Sequence, residues 1–206
     1  MKTRNLLLAV VALAVVAFGA AQLYAAVTEP STNVPLAIPD NGTVNSTLNF
    51  SVNGTITDAN LTVNIAHTWN ADIRLTLSSP SVAGQVLWNN CGGSGDNLTN
   101  TVLDNDAAGL ATCTFAGAPF TGSFQPTNGQ TNAAPTPIPA AGSMNAFDGS
   151  ASGGVWTLAV ADDSSICTGT LNAWLIVSPM CLISDFLPSL PGIFRKIMPI
   201  HPNVAY

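Results

Sequence analysis

The sequence predicts an all-β sandwich, and three observations indicate this fold class. Apolar and polar residues alternate with a period of two in several segments, and turn-forming residues separate those segments at regular spacing. Only 8% of the residues are charged while 47% are hydrophobic. A surface made of Asn, Thr and Ser favours strands and turns over helices, and the hydrophobic content suffices for a folded core.

Each predicted strand places its apolar side chains on one face, as in half-buried antiparallel strands. Turns such as Asn53-Gly54 and Asp58-Ala59-Asn60 separate the strands. The side chains predicted to alternate inward are Leu48, Phe50, Val52, Leu61, Val63, Ile65, Ile73, Leu75, Leu77, Trp156, Leu158, Val160, Leu171, Ala173, Leu175 and Val177.

The N-terminus has the pattern of a signal peptide over residues 1–25. Lys2 and Arg4 precede an apolar run over residues 6–21, and small residues follow, so cleavage is expected between Ala21 and Ala26. The alternative is an uncleaved anchor, because the run reaches about 20 residues if it is extended. The pattern predicts a secreted or periplasmic protein, with residues 26–36 as a linker.

The four cysteines are expected to form disulfides in an exported chain. Cys91 and Cys113 flank one loop rich in Gly, Asn and Asp, and a bond between them would fix that loop at both ends. Cys167 and Cys181 flank a predicted strand of about 26 Å, so their pairing requires the chain to fold back after Pro179. Cys91–Cys113 is the predicted disulfide, and the other two cysteines remain open.

The charge distribution excludes two classes of partner. The net charge is −6, and the chain has five Lys and Arg residues. No basic patch is available to bind nucleic acid or an anionic membrane surface. Residues 125–143 have the composition of a flexible insertion. Residues 179–206 form a proline-rich tail of unknown role, expected to be a loosely packed or disordered extension, with a membrane anchor or sorting tail as the alternative.

The order of local motifs resembles the P domain, also called P/Homo B, of subtilisin-like proprotein convertases. The resemblance covers residues 37–178. The matching motifs are IPDN at 38–41, VNIAHTWNADIRLTLSSP at 63–80, GSGDN at 93–97, LDNDA at 103–107, APFTG at 118–122, AFDG at 146–149, GVWTL at 154–158 and TGTLNAW at 168–174.

This resemblance implies a jelly-roll-like antiparallel β-sandwich of the galactose-binding-domain type. It also implies a non-catalytic module that accompanies serine-type endopeptidases in proteolysis and proprotein processing, where it stabilises or contacts another protein. The sequence departs from the family in its Cys-flanked loop, in the 125–143 insertion and at Ala71, where the family often has Gly.

The chain offers no recognisable catalytic group, so we predict that it is not an enzyme. His67 and His201 lie near no serine or cysteine nucleophile motif, and no HExxH motif is present. His67 is expected to pack at a strand end. The expected partner is a protease or another exported protein, and the chain is alternatively a fragment of a larger protease.

Aspartates in Gly-rich loops predict a structural Ca²⁺ site, because Ca²⁺ prefers carboxylate, amide and carbonyl oxygens. Asp96, Asp104 and Asp106 fall within eleven residues, and Asp148 is the fourth candidate ligand. Asp162 and Asp163 follow another predicted strand. The alternative is that these aspartates cap turns through hydrogen bonds to the backbone.

The tryptophans support a second functional hypothesis, a secreted carbohydrate- or surface-binding module. Trp69 and Trp88 lie near predicted strand ends and are the candidates for exposure. Trp156 and Trp174 lie within predicted strands, where core packing is expected.

Overall fold

The computed structural model describes residues 24–111, 113–128 and 138–181. Most of the predicted signal peptide, part of the 125–143 insertion and most of the predicted tail lie outside the described residues. Strands β1 to β13 have the bounds Tyr24–Pro30, Leu36–Ile38, Thr43–Phe50, Thr55–Ile56, Asn60–His67, Ile73–Ser78, Gln85–Asn89, Leu98–Leu103, Phe120–Phe124, Thr127–Asn128, Ile138–Pro139, Gly154–Asp162 and Gly169–Cys181.

The strands form two sheets, which confirms the predicted all-β sandwich. Sheet A has the order β1-β13-β5-β8-β9, with β2 and β4 also paired to β13, and sheet B has the order β11-β10-β7-β6-β12-β3. The β8–β9 and β7–β10 pairs are parallel, and the other named pairs are antiparallel. None of the helical segments in the described parts of the chain has the length and apolarity of a bilayer-crossing helix.

The core contains three fully covered tryptophans. Trp156 donates from Nε1 to the Ser152 carbonyl at 2.8 Å, and Trp174 donates from Nε1 to Ser46 Oγ at 2.6 Å. Trp88, a candidate for exposure in the binding-module hypothesis, is buried, because the strand continues past it as β7. Its buried ring packs edge-on against Phe120 with the centroids 5.1 Å apart.

Strand β13 departs from the predicted alternation. The register of β13 on β5 shifts between Leu171 and Ala173, and such a bulge exchanges the two faces of the strand beyond it. Trp174 and Ile176 are therefore buried, while Leu175 is only half-buried. The predicted inward positions Ala173, Leu175 and Val177 are wrong for this reason.

Residues 26–36, predicted as a linker, belong to the sandwich. They include most of β1 and the start of β2, and both strands pair with the same edge of β13. Side-chain contacts tie this segment to sheet B, because Ser46 Oγ donates to Asn33 Oδ1 at 2.6 Å and Ser51 Oγ donates to Glu29 Oε1 at 2.8 Å. An edge strand of this kind buries little apolar surface, so it leaves no alternation in the sequence.

The predicted disulfide is present between Cys91 and Cys113, with their Cα atoms 4.6 Å apart. Cys167 and Cys181 carry free thiols. They lie at the two ends of β13, which runs without a reversal through Pro179 to Cys181. The fold-back that their pairing required is not observed.

Candidate functional site

The aspartates gather at opposite ends of the sandwich, separated by the eight residues of β5, a span of about 25 Å. We call these regions the Asp58 end, with residues 58–60, 104–106 and 148, and the His67 end, with residues 39–42, 67–72, 92–97 and 162–168. Strand β8 runs antiparallel to β5, so its start lies at the His67 end and its finish at the Asp58 end.

Three carboxylates face one another at the Asp58 end. Asp58 precedes β5, and Asp104 and Asp106 follow β8, its hydrogen-bonded neighbour. One carboxylate oxygen from each of the three lies within 4.8 Å of the others. The antiparallel pairing of β5 with β8 produces this cluster, because it places the turn before one strand beside the loop after the other.

Among the described residues, no basic side chain offsets the negative charge of this cluster. Burial raises the pKa of Asp58, and the Asp104 and Asp106 carboxylates raise it further. The pKa of Asp148 is also raised, first by burial and then by Asp58 and Asp106. Asp148 therefore belongs to the electrostatic environment of this cluster.

Hydrogen bonds leave oxygen atoms available at the Asp58 end. Asn60 Nδ2 donates to Asp58 Oδ2 at 3.1 Å, while Asn60 Oδ1 is buried without a hydrogen-bond partner among the described residues. The Asp106 N–H donates to Asp104 Oδ1 at 2.7 Å, so Asp104 also caps its own turn. Nearby, Asn105 Oδ1 accepts from the Met144 N–H at 2.7 Å and fixes the loop that leads to Asp148.

The structure brings together only part of the predicted ligand set. Asp104, Asp106 and Asp148 lie at the Asp58 end, but Asp96 lies at the His67 end, because β8 separates residue 96 from residue 104. Asp58 was missed, because its turn was interpreted only as the boundary before a strand. The segment that forms β8 was interpreted as part of a loop, and recognising it as a strand paired with β5 could have found Asp58.

The His67 end contains a buried histidine–aspartate pair. His67 Nε2 lies 3.2 Å from Asp162 Oδ2, and both side chains are fully covered. The Trp69 N–H lies 3.1 Å from His67 Nδ1. His67 Nδ1 also lies 2.9 Å from the Trp69 carbonyl oxygen, so the side chain packs at the end of β5, a strand end, as predicted. Its hydrogen bonds in the described structure include no serine hydroxyl or thiol that could act as a nucleophile.

The remaining carboxylates at this end have different surroundings. Asp163 binds the Arg74 guanidinium through Nε at 2.7 Å and Nη2 at 2.9 Å, so neither Asp162 nor Asp163 belongs with the Ca²⁺ candidates. Burial raises the pKa of Asp72, and Asp162 adds to this while His67 opposes it. Asp96 is exposed and lines two shallow clefts of about 440 and 280 Å³.

The model of the proprotein convertase P-domain family matches residues 56–178. Among curated proteins, none matches the sequence significantly.

Two solved structures resemble the chain weakly. The serine protease of Aeromonas sobria in complex with its chaperone is 15% identical, has a TM-score of 0.45, and is matched over 77% of this chain and 27% of that chain. The same protease alone is 16% identical, has a TM-score of 0.44, and is matched over 82% of this chain and 29% of that chain. The match thus spans less than a third of either protease chain, and neither likeness adds to the family assignment. The family match covers more than half of the sequence and reaches from β4 to β13, and the chain belongs to the proprotein convertase P-domain family.

Proposed function

We propose that this chain is an exported, non-catalytic P domain that binds and stabilises a serine-type peptidase. The observation that supports the proposal is the family match over residues 56–178, which include most of both sheets. The family is a module of peptidase systems, and the geometry at His67 gives this histidine a packing role. The free energy of association would then stabilise the folded peptidase, since a partner that binds only the native state shifts its unfolding equilibrium.

The test uses the purified chain, immobilised, with the exported proteins of its source. An active-site fluorophosphonate probe identifies any serine peptidase that is retained. We expect a labelled peptidase to be retained, and its heat inactivation to be slower with the chain than without it. The matched control is the same chain after unfolding and chemical blocking of its thiols. Equal retention by folded and unfolded chain contradicts the proposal.

The proposal includes a structural Ca²⁺ ion at the Asp58 end, and the donors present fit this ion. Ca²⁺ binds oxygens at 2.3–2.6 Å, so ligands on opposite sides of the ion lie about 5 Å apart. The mutual spacing of the Asp58, Asp104 and Asp106 oxygens, within 4.8 Å, is compatible with that geometry. The unpartnered Asn60 Oδ1 supplies an amide oxygen beside Asp58, another donor type that Ca²⁺ prefers.

A bound divalent cation would offset the repulsion among these carboxylates. Asp58 and Asp148 carry raised pKa values because burial and neighbouring carboxylates disfavour their charged forms. A cation held by Asp58, Asp104 and Asp106 would connect the turn before β5 with the loop after β8, and Asp148 would add charge from a third loop. The ion would thus stabilise the folded domain by holding these loops together.

Thermal unfolding of the purified chain with Ca²⁺ and with a chelator tests this part of the proposal. An ion that binds only the folded state raises the free energy of unfolding by about 2.7 kcal/mol at a hundredfold excess over its Kd. We expect the unfolding midpoint to rise with Ca²⁺ and to return with chelator. Superimposable curves would remove Ca²⁺ from the proposal and leave the peptidase association untouched.

A further inference from the structure

The His67 end exposes two large apolar side chains. Among the described residues, the exposed large apolar side chains are Trp69 at 44%, Val155 at 55% and Ile166 at 91%. Trp69 and Ile166 belong to neighbouring loops of the His67 end, whereas Val155 lies on β12, away from that end. Exposed aromatic and aliphatic side chains that share one surface are typical of protein contacts.

The two loops are held together by the contacts beneath them. The buried His67–Asp162 pair joins the end of β5 to the end of β12, and the Asp163 N–H donates to the Asp72 carbonyl at 2.8 Å. Ile166 has a φ of +92°, a conformation that a β-branched residue rarely adopts. The loops that carry Trp69 and Ile166 are thus joined to each other before any partner arrives, which lowers the entropy cost of binding.

The apolar side chains are surrounded by negative charge. Asp40 and Asp96 are exposed, and Asp72 and Asp163 lie on the loops that carry Trp69 and Ile166. Arg74 is the only Lys or Arg among the described residues, and Asp163 already binds it in a two-point contact. A partner that covers this surface must supply cationic groups to Asp40, Asp72 and Asp96, or these carboxylates lose solvation without compensation.

We propose that the His67 end is a docking surface for a protein that offers an apolar pocket ringed by Lys and Arg side chains. Trp69 and Ile166 enter that pocket, and the surrounding carboxylates meet the basic ring. This inference rests on the proposed peptidase association and assigns it to one surface. A second copy of the chain does not fit, because it would place the same acidic ring against itself, and each chain carries a net charge of −6.

The free cysteines provide the experiment. Cys167 follows Ile166 within the surface, and Cys181 lies at the opposite end of β13, at least about 40 Å away along the strand. A benzophenone maleimide is attached to Cys167 in the Cys181→Ser variant, and to Cys181 in the Cys167→Ser variant. Each labelled chain is irradiated with the exported proteins of its source, and the linked peptides are sequenced by mass spectrometry.

We expect the Cys167 probe to give an adduct with a serine peptidase, on a peptide beside Lys or Arg, and the Cys181 probe to give none. The adduct yield falls at least tenfold in Trp69→Ala and Ile166→Ser, and it is unchanged in the matched control Val155→Ser. Rising ionic strength lowers the yield, because it screens the basic ring from the carboxylates. Unchanged unfolding midpoints show that the variants remain folded.

The other outcomes separate this inference from the proposed function. A peptidase linked through Cys181 alone contradicts the docking surface at the His67 end but supports the proposed peptidase association. A protein other than a peptidase, linked through Cys167 on a peptide beside Lys or Arg, supports the docking surface but contradicts the peptidase association. A link to a second copy or to a glycan overturns the surface, as does a yield indifferent to Trp69 and Ile166. If neither probe gives an adduct, both the docking surface and the peptidase association are contradicted.

Discussion

Different groups face the buried and paired aspartates at the two ends of the sandwich. At the His67 end, Asp162 meets His67 and Asp163 meets Arg74. At the Asp58 end, Asp58, Asp104 and Asp106 meet one another, and burial together with this repulsion raises the pKa of Asp58. A count of carboxylates therefore does not distinguish a stabilising site from a repulsive one. The groups that oppose each carboxylate decide this.

The largest expected effect is at the His67 end. Asp162→Ala removes the acceptor of His67 Nε2 and of the Ser164 N–H, which lies 3.1 Å from Asp162 Oδ1. Each donor left without its acceptor costs about 1–3 kcal/mol, and this variant leaves two. We expect that loss in urea unfolding, equal with Ca²⁺ and with chelator. A loss below about 1 kcal/mol would show that the pair contributes no more than a surface contact.

The Asp58 end responds differently to loss of a carboxylate. Asp58→Asn removes one charge from the cluster, so the stabilisation of about 2.7 kcal/mol expected from a hundredfold excess of Ca²⁺ over its Kd should be largely lost. In chelator the variant should be no less stable than the natural chain, because repulsion has been removed. Asp96→Asn, at the other end, is the matched control and should retain the full Ca²⁺ effect in thermal unfolding.

The pH dependence of folding stability tests the repulsion at the Asp58 end, and its expected effect is smaller. Burial and then neighbouring carboxylates raise the pKa values of Asp58 and Asp148 above the ordinary 3.8. The folded state therefore binds protons more readily than the unfolded state. In chelator, these two groups should add stability as the pH falls through their raised pKa values toward 3.8.

With Ca²⁺ present, protons compete with the ion, so its stabilising effect should shrink over the same pH window. The measurement is the unfolding midpoint against pH for the natural chain, minus that of the Asp58→Asn, Asp148→Asn double variant. The double variant subtracts the contribution of Asp72, whose pKa is also raised, first by burial and then by Asp162. A difference that falls with falling pH in chelator would contradict the repulsive cluster.

The smallest expected effect is at the partly exposed ion pair of the His67 end. The Arg74 and Asp163 side chains are 40% and 30% exposed. Solvent screens such a pair, so Arg74→Gln should cost about 0.2–1 kcal/mol, and less in high salt. Chemical unfolding at two salt concentrations measures this. A loss as large as that of Asp162→Ala would show that the two pairs act as one network.

The fold was more predictable from the sequence than the site. Alternation in β5, β6 and β12 predicted their buried faces correctly, because a strand with one dry face leaves its period in the sequence. The same argument failed in β13, where one bulge exchanges the faces, and in β1, which buries too little apolar surface to leave a pattern. The Cys91–Cys113 bond was predicted because the two cysteines flank one segment rich in Gly, Asn and Asp, although that segment contains β8 and is not a single loop.

The acidic site depended on strand pairing, which composition does not reveal. Asp96 and Asp104 are close in sequence, yet the length of β8 separates them. Asp58 and Asp104 are distant in sequence and become neighbours only through the β5–β8 register. Proximity along the chain was therefore the wrong measure of proximity in space wherever a strand intervened.

Strand β13 also has a consequence for when the domain can fold. It is hydrogen-bonded to β1, β2, β4 and β5, and Tyr24 pairs with Cys181. Sheet A thus cannot close until the last described strand has left the ribosome, and such non-local pairing slows folding. For a chain exported unfolded, this order of synthesis would be an advantage, because sheet A stays open until β13 has been made.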